Sequence, residues 1–236
     1  ILQQDKRKSN TAPIRADADY LYFCKNNTIY GTVFHETPNA KGKTLVADVS
    51  SCFLSAPEKV TDYGILWGGV QKNVGPAGMA IAVVREDLIG DCLPGTPTML
   101  RYETYAAHGS LYNTPPCYNI YICGKVFRWI KEIGGLAAMQ KRNEEKAALL
   151  YDFLDQSKLF SNPVRREDRS VMNVTFVTGN AALDKKFVEE AKAVGLENLK
   201  GHRTVGGMRA SLYNAMPKEG VQRLVDFMAA FEKREA

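Results

Sequence analysis

The sequence predicts an α/β protein with a strand-rich first half and a small α+β unit at its C-terminal end. Between residues 19 and 84, four short apolar runs alternate with polar or Gly- and Pro-containing connections, which is the pattern of strands in a largely buried sheet. From about Cys117 onward, the apolar residues recur with a helical period instead. These two observations place the sheet before the main helices.

Each of the four apolar runs is predicted to form one strand. The connections leave little room for full crossover helices, and the stretch PEKVTDYG has space for a single helical turn. A parallel sheet with short excursions and a mixed sheet both satisfy this pattern. In chain order, the runs are YLYFC, TLVADVS, YGILWGG and MAIAVVR.

Two helices are predicted between Cys117 and Gln156, separated by the Gly134-Gly135 pair. The first is indicated by four apolar residues at helical spacing, Ile120, Cys123, Phe127 and Ile130. The elements after them are strand VMNVTFV (171–177), a helix from Ala181 to Val194, strand MRASLY (208–213) and a helix that starts at Pro217. We place the domain boundary after residue 142, which gives domains 1–142 and 143–236.

The composition of the chain favours some classes of binding partner over others. The chain has 236 residues, 45% of them hydrophobic, and its net charge of +5 is spread along the sequence, which favours small anionic substrates over nucleic acid. Five cysteines without a CxxC pair or a Cys/His cluster predict reduced thiols and neither a disulfide framework nor a metal site. No apolar run approaches the roughly 20 residues of a membrane span, and no signal peptide is evident. We therefore expect a soluble, cytoplasmic protein.

Lys72 stands out in the stretch ILWGGVQKNVGPAG, between an apolar strand that ends in paired glycines and a second turn of small residues. Burial beside apolar residues favours the neutral, nucleophilic form of a lysine amine, which is the form that attacks carbonyl groups. Glycines on both sides let a flat ligand approach the backbone. The alternative is a glycine-rich turn with a solvated lysine at its tip, and these residues alone leave both interpretations open.

Asp48 closes the apolar strand of the LVADVSS stretch, where a carboxylate is costly unless it has a cationic partner. A protonated pyridine nitrogen would be such a partner. A covalently bound lysine and an aspartate on the ring nitrogen are the pair that a pyridoxal phosphate enzyme needs. The alternative for Asp48 is a helix N-cap or a turn aspartate.

Six motifs occur in one order and at matching separations from about Asp17 to the C-terminus, and with them the chain resembles the phosphoserine aminotransferase family. That resemblance implies a fold-type I, pyridoxal phosphate-dependent homodimer, with a large domain around a mixed seven-stranded sheet and a small C-terminal domain. The chain would hold part of the large domain and the whole small α+β domain. The motifs are KNNTIYGT, ADVSS, WGGVQKNVGPAG, REDLIG, LYNTPP and GHRTVGGMRASLYNAMP.

The resemblance implies four contacts to the cofactor from one subunit. Lys72 is implied as the Schiff-base lysine and as the base that moves the substrate's Cα proton, and Asp48 as the partner of the ring nitrogen. Thr28 is implied to contact the phenolic edge of the ring, and Gln71 the phosphate. Taken singly, Thr28 is equally a turn residue after two asparagines.

Five further residues are implied to complete the site. Asn113 and Thr114 would reach the cofactor phosphate of the partner subunit, so the complete site requires the homodimer. Arg209 would hold the substrate α-carboxylate, a role suited to a planar guanidinium. His202 and Arg203 match the region that receives the substrate's phosphate or side-chain carboxylate, and the subunit they serve is left open. Their alternatives are a turn before a helix, a surface ion pair and a solvated loop.

The implied reaction transfers an amino group from glutamate to 3-phosphohydroxypyruvate in serine biosynthesis, and also serves the phosphohydroxythreonine step of vitamin B6 synthesis. Two alternatives stay open: another class V aminotransferase, such as an alanine–glyoxylate type, and an inactive, dimerising fragment. Family members carry a further N-terminal portion whose additional cofactor and substrate contacts are not located in this chain, and residues 1–15 have no clear match to the family. We therefore expect these 236 residues alone to bind pyridoxal phosphate weakly or not at all.

Overall fold

The computed structural model describes residues 13–235, and within them the chain forms a four-stranded sheet, two short strand pairs and five α-helices. The strands are β1 (Tyr20–Cys24), β2 (Asn26–Asn27), β3 (Thr32–Val33), β4 (Thr44–Asp48), β5 (Ile65–Gly69), β6 (Ala80–Val84), β7 (Asn173–Phe176) and β8 (Met208–Ser211). The helices are α1 (Tyr102–Ala107), α2 (Cys117–Glu132), α3 (Gly135–Gln156), α4 (Ala181–Ala193) and α5 (Lys218–Glu235).

The main sheet has the order β1-β4-β5-β6, and its strands are the four apolar runs predicted from the sequence. β1, β4 and β5 run parallel, while β6 runs antiparallel to β5, so the sheet is mixed. The predicted single helical turn is the 3-10 turn Val60–Asp62 in the connection from β4 to β5. The short connection 70–79 reverses the chain into β6, because a parallel return needs a longer crossover.

The two faces of this sheet differ because side chains alternate along each strand. Phe23, Leu45, Ala47 and Leu66 lie in one buried apolar cluster with the neighbouring loops. Asp48 pairs in register with Cys24 and Trp67 and follows Ala47, so it projects from the opposite face. This alternation keeps the Asp48 carboxylate out of the apolar cluster.

β7 and β8 form an antiparallel pair packed against α3, α4 and α5. One face of the pair carries Val174, Phe176, Met208 and Ala210 into the largest apolar cluster. Aromatic rings fill the centre of this cluster in edge-to-face contacts, with centroids 5.1 Å apart for Phe160–Phe187 and 5.2 Å apart for Phe187–Phe231. The other face of the pair is directed towards the β2–β3 hairpin.

The helices predicted in the second half are confirmed. α2 and α3 flank the Gly134 break, and α5 begins one residue after Pro217. α4 is capped by Asn180, whose Oδ1 accepts hydrogen bonds from the amides of Ala182 at 2.9 Å and Leu183 at 3.3 Å. The boundary predicted after residue 142 falls inside α3 and stays a prediction. The sequence did not predict α1 or the β2–β3 hairpin.

None of the five cysteines, all of which lie within residues 13–235, forms a disulfide bond. Within residues 13–235, no group of His, Cys, Asp and Glu side chains has the arrangement of a metal site. No helix in the same range has the length and apolarity that crossing a membrane requires.

Candidate active site

Lys72 lies in the turn that follows β5, and its side chain is held by a single hydrogen bond. The Nζ atom donates to Thr28 Oγ1 over 2.8 Å. The turn is anchored on both sides by Val70 and Val74, which are fully buried, and the amide of Val74 donates to the carbonyl of Val70 at 2.9 Å. Lys72 therefore follows the end of a strand in a turn with buried flanks, and its predicted apolar surroundings stay a prediction.

Thr28 stands in the tight turn 28–31 between β2 and β3. Asn27 Oδ1 accepts hydrogen bonds from the amides of Ile29 at 2.9 Å and Tyr30 at 3.0 Å, an Asx turn that fixes the backbone around Thr28. Gly31 has φ +71°, and a Cβ there would lie 2.8 Å from the carbonyl oxygen of Asn173. The turn is thus pressed against β7, and only glycine fits at its end.

Asp48 is linked to the strand that leads to Lys72. Its Oδ1 accepts a hydrogen bond from the amide of Ser50 at 2.8 Å, and Ser50 Oγ accepts one from the amide of Gly69 at 3.0 Å. Burial, and then the negative charge of Asp48, raise the pKa of Tyr22 on the neighbouring strand. The carboxylate is half-buried at the end of β4, where it can meet a cation.

Gln71 lies beside Lys72 with its amide folded back over the end of β5. Its Oε1 is 2.6 Å from the position that a Cβ on Gly69 would occupy, so a side chain at residue 69 would displace the amide. Gln71 is otherwise exposed. Its amide is therefore accessible to a ligand at the strand end.

Arg209 lies on β8 directly opposite Thr175, so the two side chains share the face that looks towards the hairpin. Thr175 Oγ1 donates to the carbonyl of Tyr30 at 3.3 Å, which brings this face against the turn that carries Thr28. Arg209 Nε is buried and has no hydrogen-bond partner among residues 13–235. A buried N–H group without an acceptor is costly, and a bound carboxylate would supply that acceptor.

The remaining predicted residues lie outside this hydrogen-bonded group. His202 shares a 2.8 Å hydrogen bond between Nδ1 and Thr204 Oγ1 inside the loop 201–207, and Arg203 is exposed. Asn113 and Thr114 are exposed in the segment that precedes α2. Within the described part of the chain, none of these four side chains hydrogen-bonds to Lys72 or Thr28.

The structure also reveals a buried polar network that the sequence analysis missed. Asn26 Nδ2 donates to Ser51 Oγ and to Asn173 Oδ1, both at 2.8 Å, which ties the hairpin to the exit of β4 and to β7. The Oδ1 of Asn26 accepts a hydrogen bond from Ser170. The available signal was the asparagine inside the stretch VMNVTFV, where apolar neighbours predict burial of a side chain that then requires polar partners.

The sequence profile of the family described as Aminotransferase class-V matches residues 4–224. The match begins earlier than the resemblance from about Asp17, so the expectation that residues 1–15 have no clear match to the family is wrong for residues 4–15.

Phosphoserine aminotransferases are among the most similar proteins of known name. The one from Lactiplantibacillus plantarum is 56% identical over 220 residues, which are 93% of this chain and 61% of that protein. The solved phosphoserine aminotransferase from Bacillus circulans subsp. alkalophilus superposes with a TM-score of 0.92 at 43% identity, over 94% of this chain and 62% of the other. A PLP-bound phosphoserine aminotransferase from Trichomonas vaginalis gives a TM-score of 0.88 at 39% identity, over 93% and 62%. The chain thus spans about 60% of the length of these relatives.

Proposed function

The chain belongs to the aminotransferase class-V family and has the fold-type I architecture of its structural neighbours, and from this premise we propose that it acts as a phosphoserine aminotransferase. The reaction would transfer an amino group between glutamate and 3-phosphohydroxypyruvate. The observation that carries the proposal is the hydrogen bond of Lys72 to Thr28 at the same sheet edge as Asp48. The hydrogen bond joins an amine and a hydroxyl from two separate segments, and the Asp48 carboxylate is connected to the strand before Lys72 through Ser50 and Gly69.

We propose pyridoxal 5′-phosphate as the cofactor, because the donors present fit it. The Asp48 carboxylate would hold the ring nitrogen protonated, Thr28 would contact the phenolic edge, and Gln71 would donate to the phosphate. The bound cofactor would supply an electron sink for the pair left behind when the substrate's Cα loses a proton. Lys72 Nζ would bind the cofactor covalently and, once the substrate's amino group has displaced it, would take up the Cα proton as a free amine and deliver it to the cofactor.

The substrate would be bound through its negative charges. Arg209 would bind the α-carboxylate with its guanidinium, which fixes the direction of the Cα–H bond relative to Lys72. His202 and Arg203 would bind the phosphate of phosphoserine or the side-chain carboxylate of glutamate. Arg203 is exposed and forms no ion pair within residues 13–235, so its charge is available for such an anion.

We propose that the active form is a homodimer in which Asn113 and Thr114 donate to the cofactor phosphate in the site of the second subunit. Support comes from the surface around them, where large apolar side chains are exposed on the segment 111–114 and on α2. Tyr118 is 68% exposed and Leu111 is 62% exposed, and a contact with a second subunit would remove this area from water. The cytoplasmic location stays a prediction.

The proposal is tested by comparing amino donors in the natural protein that carries this sequence, with 2-oxoglutarate as the acceptor. We expect kcat/KM for phosphoserine to exceed that for alanine by at least about 100-fold, because alanine lacks the charged group and its charge-assisted hydrogen bonds, worth about 1.5–3 kcal/mol each. Phosphohydroxythreonine is expected to be a second substrate.

Two arginine variants distinguish the loss of a substrate contact in this site from the general effect of losing one positive charge. Arg203→Gln should reduce the preference for phosphoserine over alanine. Arg165→Gln, which removes an exposed arginine paired with Glu167, should leave the preference unchanged. Equal turnover of the two donors would favour another class V aminotransferase, and no transamination with any donor would favour the alternative of a non-catalytic, dimerising chain.

A further inference from the structure

We propose that Asn73, Asn143 and Asn214 act together as positioning residues that fix Lys72 for its proton transfer, an inference that rests on the function proposed above. We call these three residues the asparagine clamp. They come from three places in the chain: the turn that carries Lys72, helix α3, and the segment after β8. All three are buried, with 7%, 0% and 4% of their surface exposed, respectively.

The clamp holds one short loop by its backbone. Three consecutive carbonyls of the loop 53–55 each accept a hydrogen bond from a different clamp residue. Leu54, at its centre, has φ +53°, a left-handed conformation that is strained for leucine and persists only where the surroundings impose it. The pairs are Asn73 Nδ2 with Phe53 O at 3.0 Å, Asn214 Nδ2 with Leu54 O at 2.9 Å, and Asn143 Nδ2 with Ser55 O at 3.0 Å.

The clamp residues also bind one another. The backbone amide of Asn214 donates to Asn73 Oδ1 at 3.0 Å, and Asn143 Nδ2 donates to Asn214 Oδ1 at 2.9 Å. Asn143 Oδ1 is buried without a partner among residues 13–235, but the other side-chain amide groups of the clamp are hydrogen-bonded, and moving any of them would leave a further buried group unpaired. The hydrogen-bonded groups of the clamp therefore have few other arrangements of similarly low free energy.

The position of the clamp connects the candidate catalytic groups. Asn73 directly follows Lys72, the loop 53–55 follows the strand that ends at Asp48, and Asn214 follows the strand that carries Arg209. From α3, Lys146 adds hydrogen bonds to the carbonyls of Leu212 at 3.2 Å and Tyr213 at 2.9 Å, so α3 holds the three consecutive residues 212–214.

The clamp makes no hydrogen bond to the side chains of Lys72, Thr28 or Asp48, so its role is indirect. It fixes the backbone from which the Lys72 side chain extends. Since a displacement of about 1 Å at a reacting group costs on the order of 100-fold in rate, a rigid backbone at residue 73 has a direct consequence for turnover. Arg209 is fixed independently by its pairing with Thr175, so substrate binding should depend less on the clamp.

The test uses Asn214→Ala in the natural protein. We expect kcat to fall about 10- to 100-fold, while KM for glutamate stays within about twofold. The kinetic isotope effect with α-deuterated glutamate should rise, because proton transfer becomes more rate-limiting. Independently of turnover, amide hydrogen exchange of residues 71–75 should accelerate in the protein without substrate or cofactor.

A loss of stability alone would not change kcat, the isotope effect and the exchange of residues 71–75 together. A matched control variant tests this. Asn180→Ala removes the N-cap of α4 and lowers thermal stability without touching the clamp. Its kcat, isotope effect and exchange at residues 71–75 should stay unchanged. Asn73→Ser, whose shorter side chain loses the hydrogen bonds to the Phe53 carbonyl and the Asn214 amide, repeats the test should Asn214→Ala fail to fold.

The outcomes separate the two levels of the proposal. If the unsubstituted protein transfers amino groups while the clamp variants keep kcat within about twofold and the same isotope effect, the clamp inference is overturned and the proposed function stands. If the unsubstituted protein transfers none, the proposed function fails and the positioning role fails with it.

Discussion

At the scale of single residues, Arg209 has the surroundings that most directly require an anion. Its Nε is buried without a partner in the described part of the chain, on a strand face that looks towards the turn of Thr28. We predict that Arg209→Lys lowers kcat/KM for glutamate by about 10- to 100-fold, because an ammonium cannot form two parallel hydrogen bonds to a carboxylate and one such bond is worth about 1.5–3 kcal/mol. Steady-state kinetics with glutamate measure this.

Arg223→Lys is the matched control for that substitution. Arg223 is exposed and donates to the carbonyl of Val194 at the end of α4, at 2.8 Å, so the same chemical change away from the site should leave kcat/KM unaltered. An unchanged kcat/KM in Arg209→Lys would remove Arg209 from the site.

The residue scale also shows the limit of sequence reasoning. Lys72 and Asp48 were found because a charged side chain at the end of an apolar strand requires a partner, a local signal. The clamp was not found, because Asn73, Asn143 and Asn214 stand 70 or so residues apart and nothing near any one of them in the sequence indicates the other two. Hydrogen bonds between polar side chains that are far apart in the sequence leave no periodic pattern in that sequence.

At the scale of secondary-structure elements, α3 carries a buried charge that acts on stability. Lys146 is buried, and this burial, with the positive charge of Arg142 second, lowers the pKa of Lys146 to about 8. The unfolded chain keeps the ordinary value near 10.5, so between these values it binds more protons than the folded chain, and the free energy of unfolding rises with pH. Below about pH 8 the cost of burying the charge is present in full.

Lys146→Met should remove this rise of the free energy of unfolding with pH. The difference in free energy of unfolding between the unsubstituted protein and Lys146→Met should shift in favour of the unsubstituted protein by about 1–3 kcal/mol as pH rises from about 7.5 to 10. Urea denaturation at a series of pH values measures the shift. Lys141→Met, which replaces an exposed lysine on the same helix and leaves Lys146 in place, is the matched control and should keep the rise in the free energy of unfolding that Lys146 causes. A constant difference for Lys146→Met would contradict this account.

Elements were the most predictable level of the fold. The four strands of the main sheet and the long helices were predicted because apolar periodicity reports burial of a face. The direction of the strands was not predicted. Whether β6 runs parallel or antiparallel to β5 depends on how the connection 70–79 folds, and apolar periodicity does not report this. The β2–β3 hairpin was missed because its two-residue strands are too short to show alternation and are polar.

At the scale of the whole molecule, the candidate site exists only through the fold. Thr28, Asp48, Lys72 and Arg209 come from a hairpin turn, two strand ends and a strand of the second sheet. The contacts that unite them are the Lys72–Thr28 hydrogen bond, the Asp48–Ser50–Gly69 connection, and the hydrogen bond of Thr175 to Tyr30. The account depends on one residue in this group carrying the cofactor.

The most direct measurement of that claim is peptide mapping by mass spectrometry after pyridoxal 5′-phosphate is added to the natural protein and fixed with borohydride to the lysine that binds it. We predict that the cofactor mass is found on the peptide containing Lys72, and that Lys72→Ala loses the label and all transamination while its thermal unfolding temperature is unchanged. Label on a different lysine, or a Lys72→Ala variant that keeps a tenth or more of the turnover, would contradict the account.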